Sequence, residues 1–452
     1  MANFERLSEL LEKKKYSELI REIDETDPVD TAEFLSELPS ERQLTVFRMF
    51  KKDIAADIFA ELDIEVKERI ISAASDTELS TILDDLYVDD AVDMLEELPA
   101  SMVKRILQAA KPETRALINK FLSYPEESAG SIMTAEFIHL KKGMTVSDAI
   151  SYIRKVGYDK ETVYVAYVTD NKRVLEGTVR LEELLFAEDS AVIGDLMDTD
   201  FVYAGTHDSK DYAVSMISKY DLFALPIVDG EKRLVGIVTV DDAIDVIEES
   251  ATEDIELMNA ITPTDKPYLK TGVFEIFRAR IPWLLLLMVS ATFTGQIISG
   301  FESALSAFPL LIAFIPMLMG TGGNSGGQSS VTVIRGLALE EIRMRDILRV
   351  VFKEFRVSLL CGAALAVCSY LKIIIIDNMI FGNGVDHLSA VVVSLTLFVT
   401  VLVAKIIGAS LPIVAKRLSF DPAVMASPFI TTIVDAVSLL IYFGLAKMIL
   451  GI

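Results

Sequence analysis

The chain has 452 residues, 51% of them hydrophobic, and a formal net charge of −24. Residues 271–452 hold 13 basic and 10 acidic residues, which leaves 30 and 57 in the first 270, an excess that excludes nucleic acid as a partner because the phosphate backbone demands the opposite charge. Two cysteines, Cys361 and Cys368, and three scattered histidines, His139, His207 and His387, support neither a disulfide framework nor a zinc site, so any metal is expected on oxygen ligands.

The first 270 residues have room for two domains. Their start, Met-Ala-Asn-Phe-Glu-Arg, lacks a basic region followed by an apolar core, so this part is expected to stay in the cytoplasm. Residues 1–128 read as short amphipathic helices, with Leu38, Leu62 and Leu86 recurring every 24 residues; a repeated helical unit predicts a small superhelical domain. Over residues 129–252 a second unit occurs twice, at 129–192 and 193–252. Met133 answers Met197, and Leu175-Glu-Gly-Thr-Val179 answers Leu234-Val-Gly-Ile-Val238. Each copy runs helix, strand, turn, strand, helix, which predicts a tandem of α/β modules.

Five apolar segments follow, at 281–301, 308–334, 357–376, 388–415 and 423–450, each near or above the ~20 residues a helix needs to cross a bilayer. Basic residues crowd the second-to-third loop (Arg335, Arg343, Arg345, Arg349, Lys353, Arg356) and the fourth-to-fifth loop (Lys416, Arg417). Those loops and the acidic part are therefore expected inside, and the C-terminus outside. Within the second segment, Pro316-Met-Leu-Met-Gly-Thr-Gly-Gly-Asn-Ser-Gly-Gly-Gln-Ser329 places polar backbone at membrane depth, tolerated only against protein or beside water, so it predicts a pore. Asp435 lies about midway along the last segment, where an acid costs ~2.5–3.5 kcal/mol on insertion scales and marks a functional site, here one for a cation. Lys372 is expected to snorkel. Lys405 lies deeper, and two readings stay open: it reaches the cytoplasmic interface, or it pairs with Asp435. Five spans make a small bundle, so a homodimer with Asp435 contributed twice is the simplest pore.

Ala224-Leu-Pro-Ile-Val-Asp229 and Gly236-Ile-Val-Thr-Val-Asp-Asp242 resemble a CBS-domain pair, a module that often binds adenine nucleotides. The Thr/Ser-x-x-Asp pair by which such modules hold ribose is matched by Thr239 and Asp242, whereas the first copy has Arg180 and Glu183. With the helical repeats, the charged linker and the glycine-Asn motif, followed by Asp421-Pro422 and Asp435, the whole chain resembles the MgtE family of magnesium channels. The resemblance implies a multidomain fold: an all-α superhelical N domain, an α/β CBS tandem, a connecting or plug helix at 253–277 and an α-helical transmembrane pore domain at 278–452 with five spans per subunit.

It further implies Mg2+ passage with Asp435 as pore ligand and Gly320, Gly323, Asn324, Gln328 and Ser427 as pore lining, and a gate closed by cytoplasmic Mg2+. Metal between apposed acidic faces would screen their repulsion. By the same resemblance Asp211, Asp221, Asp242, Asp245, Glu249, Glu253 and Asp254 line the CBS interfaces and the connecting helix, joined by Asp57, Asp89 and Asp93 of the N domain, with ATP as a regulatory ligand. The partners implied are a second copy, the lipid bilayer of the plasma membrane and divalent cations. An ion-coupled secondary transporter of divalent cations is the alternative. An enzyme is not expected, since no nucleophile-base pair, phosphate loop or His-rich cluster is evident.

Overall fold

The structure, a computed structural model, describes residues 4–451 apart from 265–267, 270, 303–307, 340 and 426; the side chains of Asp53 and Ser427 also lie outside the described residues. The chain divides into two compact units, Met1–Ile247 and Glu248–Ile452.

The first unit begins with helices of eight to ten residues, α1 (Phe4–Glu12) through α10 (Pro112–Phe121). Local chemistry sets their ends. Asp27 caps α3 (Pro28–Glu37), whose Pro28 occupies a position where the missing N–H costs nothing, and reciprocal Ser75 and Glu78 bonds open α7 (Asp76–Asp85). Packing runs two helices along: α3 on α5 (Lys52–Ala60), α5 on α7, α7 on α9 (Ala100–Ala109), and α8 (Val88–Glu97) on α10. The 24-residue leucine repeat is therefore a two-helix repeat. Leu62 is buried, and Leu38 and Leu86 are half-buried against the same core as Phe34, Phe59 and Leu95.

Two three-stranded sheets follow. In the first, β1 (Ile138–Leu140) is parallel to β2 (Val165–Thr169), which is antiparallel to β3 (Leu175–Arg180); the second repeats this with β4 (Ala204–Gly205), β5 (Ala224–Val228) and β6 (Leu234–Thr239). The modules exchange their leading segments. Thr134, ahead of β1 in the first module, exchanges backbone bonds of 2.8 and 2.9 Å with Ile237 on β6, and Asp198, ahead of β4 in the second, exchanges bonds of 3.0 and 2.9 Å with Thr178 on β3. Gly177 and Gly236 permit that approach. A Cβ at Gly236 would stand 2.7 Å from both Met133 Sδ and the Thr134 carbonyl, and one at Gly177 would stand 2.8 Å from the Asp198 carbonyl. Phe137, Tyr167 and Ile237 share one core between the sheets.

Helix α15 (Val240–Met258) leads into the second unit. Of the connecting helix expected over 253–277, residues 265–267 and 270 lie outside the described residues; among the described ones α15 ends at Met258 and α16 (Val273–Gly300) begins fifteen positions later. Pro263, Pro267 and Gly272 lie between, and proline lacks the N–H a helix interior needs. Thr262 N instead donates to the Ala279 carbonyl at 3.0 Å, and Trp283 Nε1 donates to Thr262 Oγ1 at 3.2 Å. Leu257 and Met258 pack against Ile334 and Ala423.

After α16 come α17 (Ile315–Ala338), α18 (Ile347–Lys372) with a π-helical continuation Ile373–Ile380, α19 (His387–Arg417) and α20 (Ser427–Leu450). Among the described residues, four helical stretches are long and apolar enough to cross a membrane: Val273–Gly300, Met344–Ile380, His387–Arg417 and Ala423–Leu450. Helix α17 is the fifth long one. Its glycines, Asn, Gln and serines lower its apolarity, and it packs against α19 and α20, with α18 on α19 and α16 on α20.

Candidate ion pathway and acidic interface

Glycine divides α17 into two faces. A Cβ at Gly322 would stand 2.8 Å from Thr400 Cγ2 of α19 and 2.9 Å from Ser438 Oγ of α20; at Gly323 it would stand 3.0 Å from Thr431, and at Gly326 2.7 Å from Ile430. Helix α19 comes close to α17 at Gly408, where a Cβ would lie 2.1 Å from the Gly326 carbonyl. Small residues here let backbones meet without a hydrophobic driving force. Gly323, expected as pore lining, is thus buried in helix packing. Gly320, Asn324 and Gln328, four residues apart, form an exposed stripe, and nothing lies within 4 Å of a Cβ at Gly320.

Asp435 is held beside that motif, because its α20 neighbours Thr431, Val434 and Ser438 are the residues that touch Gly322 and Gly323. Its Oδ1 is buried without a hydrogen-bond partner, an expensive arrangement unless something else satisfies it. Lys405 is not that partner. It pairs with Glu354 of α18 at 3.9 Å and donates to Ser329 Oγ at 3.3 Å, so both readings of this lysine give way to a pairing with a different acid. Lys372, expected to snorkel, bonds Asp377 at 2.8 Å. Ser427 starts α20, but its side chain lies outside the described residues.

A second concentration of acid lies where α8 meets the tandem modules. Asp89 is buried, with Oδ1 unpartnered. Burial, then the charges of Asp90, Asp242, Glu161 and Glu136, push its carboxyl well above the usual range. The same two causes raise Asp90 and Asp242 to about 6, and Asp93 and Glu161 to about 7. Asp57 adds its charge to Asp90, while Lys67 offsets part of it. The structure therefore gathers Asp57, Asp89, Asp93 and Asp242, and adds Asp90, Glu136 and Glu161, which sequence reasoning missed. Helical period cannot separate a solvated acid from one facing another domain; the pair Asp89-Asp90 in the first turn of α8 was the available signal. Asp245, Glu249 and Glu253 continue along one exposed face of α15, with Asp254 half-buried beside them. Asp211 and Asp221 stand at opposite ends of α14 (Lys210–Tyr220), about 15 Å apart by helical rise, so one ion cannot bridge both within a chain. Among the described residues no three His, Cys, Asp or Glu side chains gather to hold a bare metal ion.

Sequence comparison decides the family. The magnesium transporter MgtE of Thermus thermophilus is 34% identical over 448 residues, covering 98% of each chain. The chain belongs to the MgtE family. The MgtE divalent cation transporter model matches residues 315–445, the MgtE intracellular N domain model matches 26–127, and CBS domains match 129–190 and 193–249. The magnesium transporter MgtE of Bacillus subtilis is 34% identical over 98% of this chain and 96% of its own. A solved structure described as the cytosolic domain of the Mg2+ channel MgtE in complex with ATP is 33% identical, with a TM-score of 0.50, over 53% of this chain and 98% of its own. This MgtE chain is accordingly a membrane protein with a helical N domain, a CBS pair and a bundle of apolar helices.

In the CBS pair, Thr239 Oγ1 donates to Asp242 Oδ2 at 2.5 Å, and Asp242 also accepts from Thr239 N at 3.4 Å, closing a cap on α15. Glu183 accepts from Arg180 N at 2.7 Å in the first copy, the same cap without a hydroxyl. Asp242 thus belongs both to the Thr239 cap of α15 and to the acidic interface.

Proposed function

We propose that the chain is a Mg2+-selective channel for magnesium uptake across the plasma membrane, working as a homodimer, with its C-terminus outside. The observation that carries this reading is Asp435: a mid-membrane carboxylate with one buried, unpartnered oxygen, released from Lys405, beside a helix that presents Gly320, Asn324 and Gln328. Magnesium keeps most of its water and is bound through one or two carboxylates, which suits two copies of Asp435 with amides and carbonyls around a hydrated ion. The relatives' names, magnesium transporter and Mg2+ channel, support the choice of ion.

The gate in this reading is the acidic interface. Cytoplasmic Mg2+ bound among Asp57, Asp89, Asp93 and Asp242 offsets their repulsion and holds the N domain on the CBS pair. The face Asp245, Glu249 and Glu253 and neighbouring Asp254 extend the sensing surface along α15, whose end, through Leu257 and Met258, touches Ile334 of α17. Asp211 and Asp221 serve interfaces with the second copy. ATP is a regulatory ligand: the Asp242 carboxylate and Thr239 hydroxyl have the chemistry to hold ribose once their mutual bond is opened.

Patch-clamp recording with cytoplasmic Mg2+ stepped from micromolar to millimolar tests this. Unitary currents silenced by cytoplasmic Mg2+ and lost in Asp435→Ala support a self-gated channel. Magnesium uptake without unitary currents makes the chain a coupled carrier.

A further inference from the structure

Lys405, Ser329 and Glu354 come from three helices and meet inside the bundle. The Ser329 hydroxyl donates to Glu354 Oε2 at 2.7 Å and accepts from Lys405 Nζ at 3.3 Å, while the two charges stand 3.9 Å apart. Lys405 and Ser329 are buried, and the Glu354 side chain is 15% exposed. Two ions in such a place are held only by each other and their hydrogen bonds, so their relative position is tightly specified. Ser329 directly follows Gln328. Whatever fixes Ser329 between α18 and α19 also fixes the rotation of α17 about its axis, and with it the direction of the stripe Gly320, Asn324 and Gln328. The glycine contacts do not specify that rotation as sharply, since small residues permit sliding and turning, whereas a three-point polar bond does not.

We infer that Lys405, Ser329 and Glu354 form an intramembrane clasp that positions α17, so that its Gly320, Asn324 and Gln328 stripe, rather than its glycine face, borders the ion pathway. They are positioning residues, acting on the ion through α17. The inference rests on the proposed pathway for what the stripe faces, and on the geometry alone for what holds it there.

The test uses full-length protein in liposomes with Cys361 and Cys368 replaced by alanine. Single cysteines at Asn324 and Gln328, and at the buried Ser325 and Ser330, are titrated with a charged, water-soluble thiol reagent. With the clasp intact, 324 and 328 label fast and 325 and 330 slowly. Glu354→Gln loses that contrast, and so does the paired replacement Lys405→Met with Glu354→Met. The pair removes both charges and leaves no unpaired ion to unfold the bundle, so melting and dimer yield return toward wild type. Magnesium flux in the paired variant falls about tenfold or more, as displaced functional groups do. Wild-type labelling contrast in the paired variant overturns the inference, and so does wild-type flux. Asp435→Asn is the separate control: unaltered flux there sinks the pathway reading, while the labelling contrast still judges the clasp.

Discussion

Two carboxylates, Asp435 and Asp89, each keep a buried oxygen without a partner, and each is costly to the fold that holds it. Removing that cost tests what it is for. Asp435→Asn is expected to abolish magnesium flux while leaving the melting temperature of the purified protein equal or higher; a lowered melting temperature with flux retained would make Asp435 a packing residue. Asp89→Asn removes a like charge from the crowd of Asp90, Glu161 and Asp242. By removing that charge it is expected to stabilise the contact of the N domain with the CBS pair. In magnesium-free buffer, protease protection of the full-length variant should then match that of wild type with magnesium. Equal sensitivity of the two proteins without magnesium would count against a repulsive interface.

At the scale of elements, the tightest contact a Cβ would make at any described glycine is at Gly408 of α19, against the Gly326 carbonyl. Gly408→Ala must push the two helices apart and is expected to cost about 1–3 kcal/mol, read as a lower melting temperature and reduced yield. Ala at Gly444, where nothing lies within 4 Å, is the matched control. The glycine run and the acid on α20 stood out in the sequence, but the exposed polar backbone expected there is regular helix in α17, and its glycines Gly322, Gly323 and Gly326 serve helix packing. Which glycines pack and which face outward was not legible, since that depends on the partner helix, and only Gly320 of the two glycines expected in the lining stays open. Lys405 shows the same limit: its acid, Glu354, lies 51 positions earlier on another helix, and no spacing rule links them. The end of α15 was legible in Pro263 and Gly272, which break a helix; the continuous helix was expected from the family resemblance, not from the residues themselves. The tandem modules were the most legible part, since Gly177 and Gly236 recur in matching strands; both are needed for the exchanged segments.

For the whole molecule, the acidic excess of the first 270 residues becomes a linkage between proton, metal and shape. Burial and mutual repulsion raise Asp90 and Asp242 to about 6, and Asp93 and Glu161 to about 7, and push Asp89 well above the usual carboxylate range. If the N domain leaves the CBS pair, these groups return toward the ordinary carboxylate value of about 4. The compact arrangement therefore binds more protons than the separated one between about pH 4 and pH 7, and its stability must fall as pH rises through that window. A divalent cation can take the place of the protons. Without magnesium, the contact between N domain and CBS pair in the full-length protein is expected to be protected from protease at pH 5.5 and open at pH 7.5, with magnesium restoring protection at pH 7.5. In the proposed gate both ligands favour the same state through the same oxygens and so compete, and adding magnesium to weakly buffered protein at pH 6.5 should release protons in proportion to the protection gained. Asp89→Asn should shrink that release. Protection that grows with pH in the absence of metal, or magnesium binding without proton release, would mean that these carboxylates are not where shape and metal are coupled.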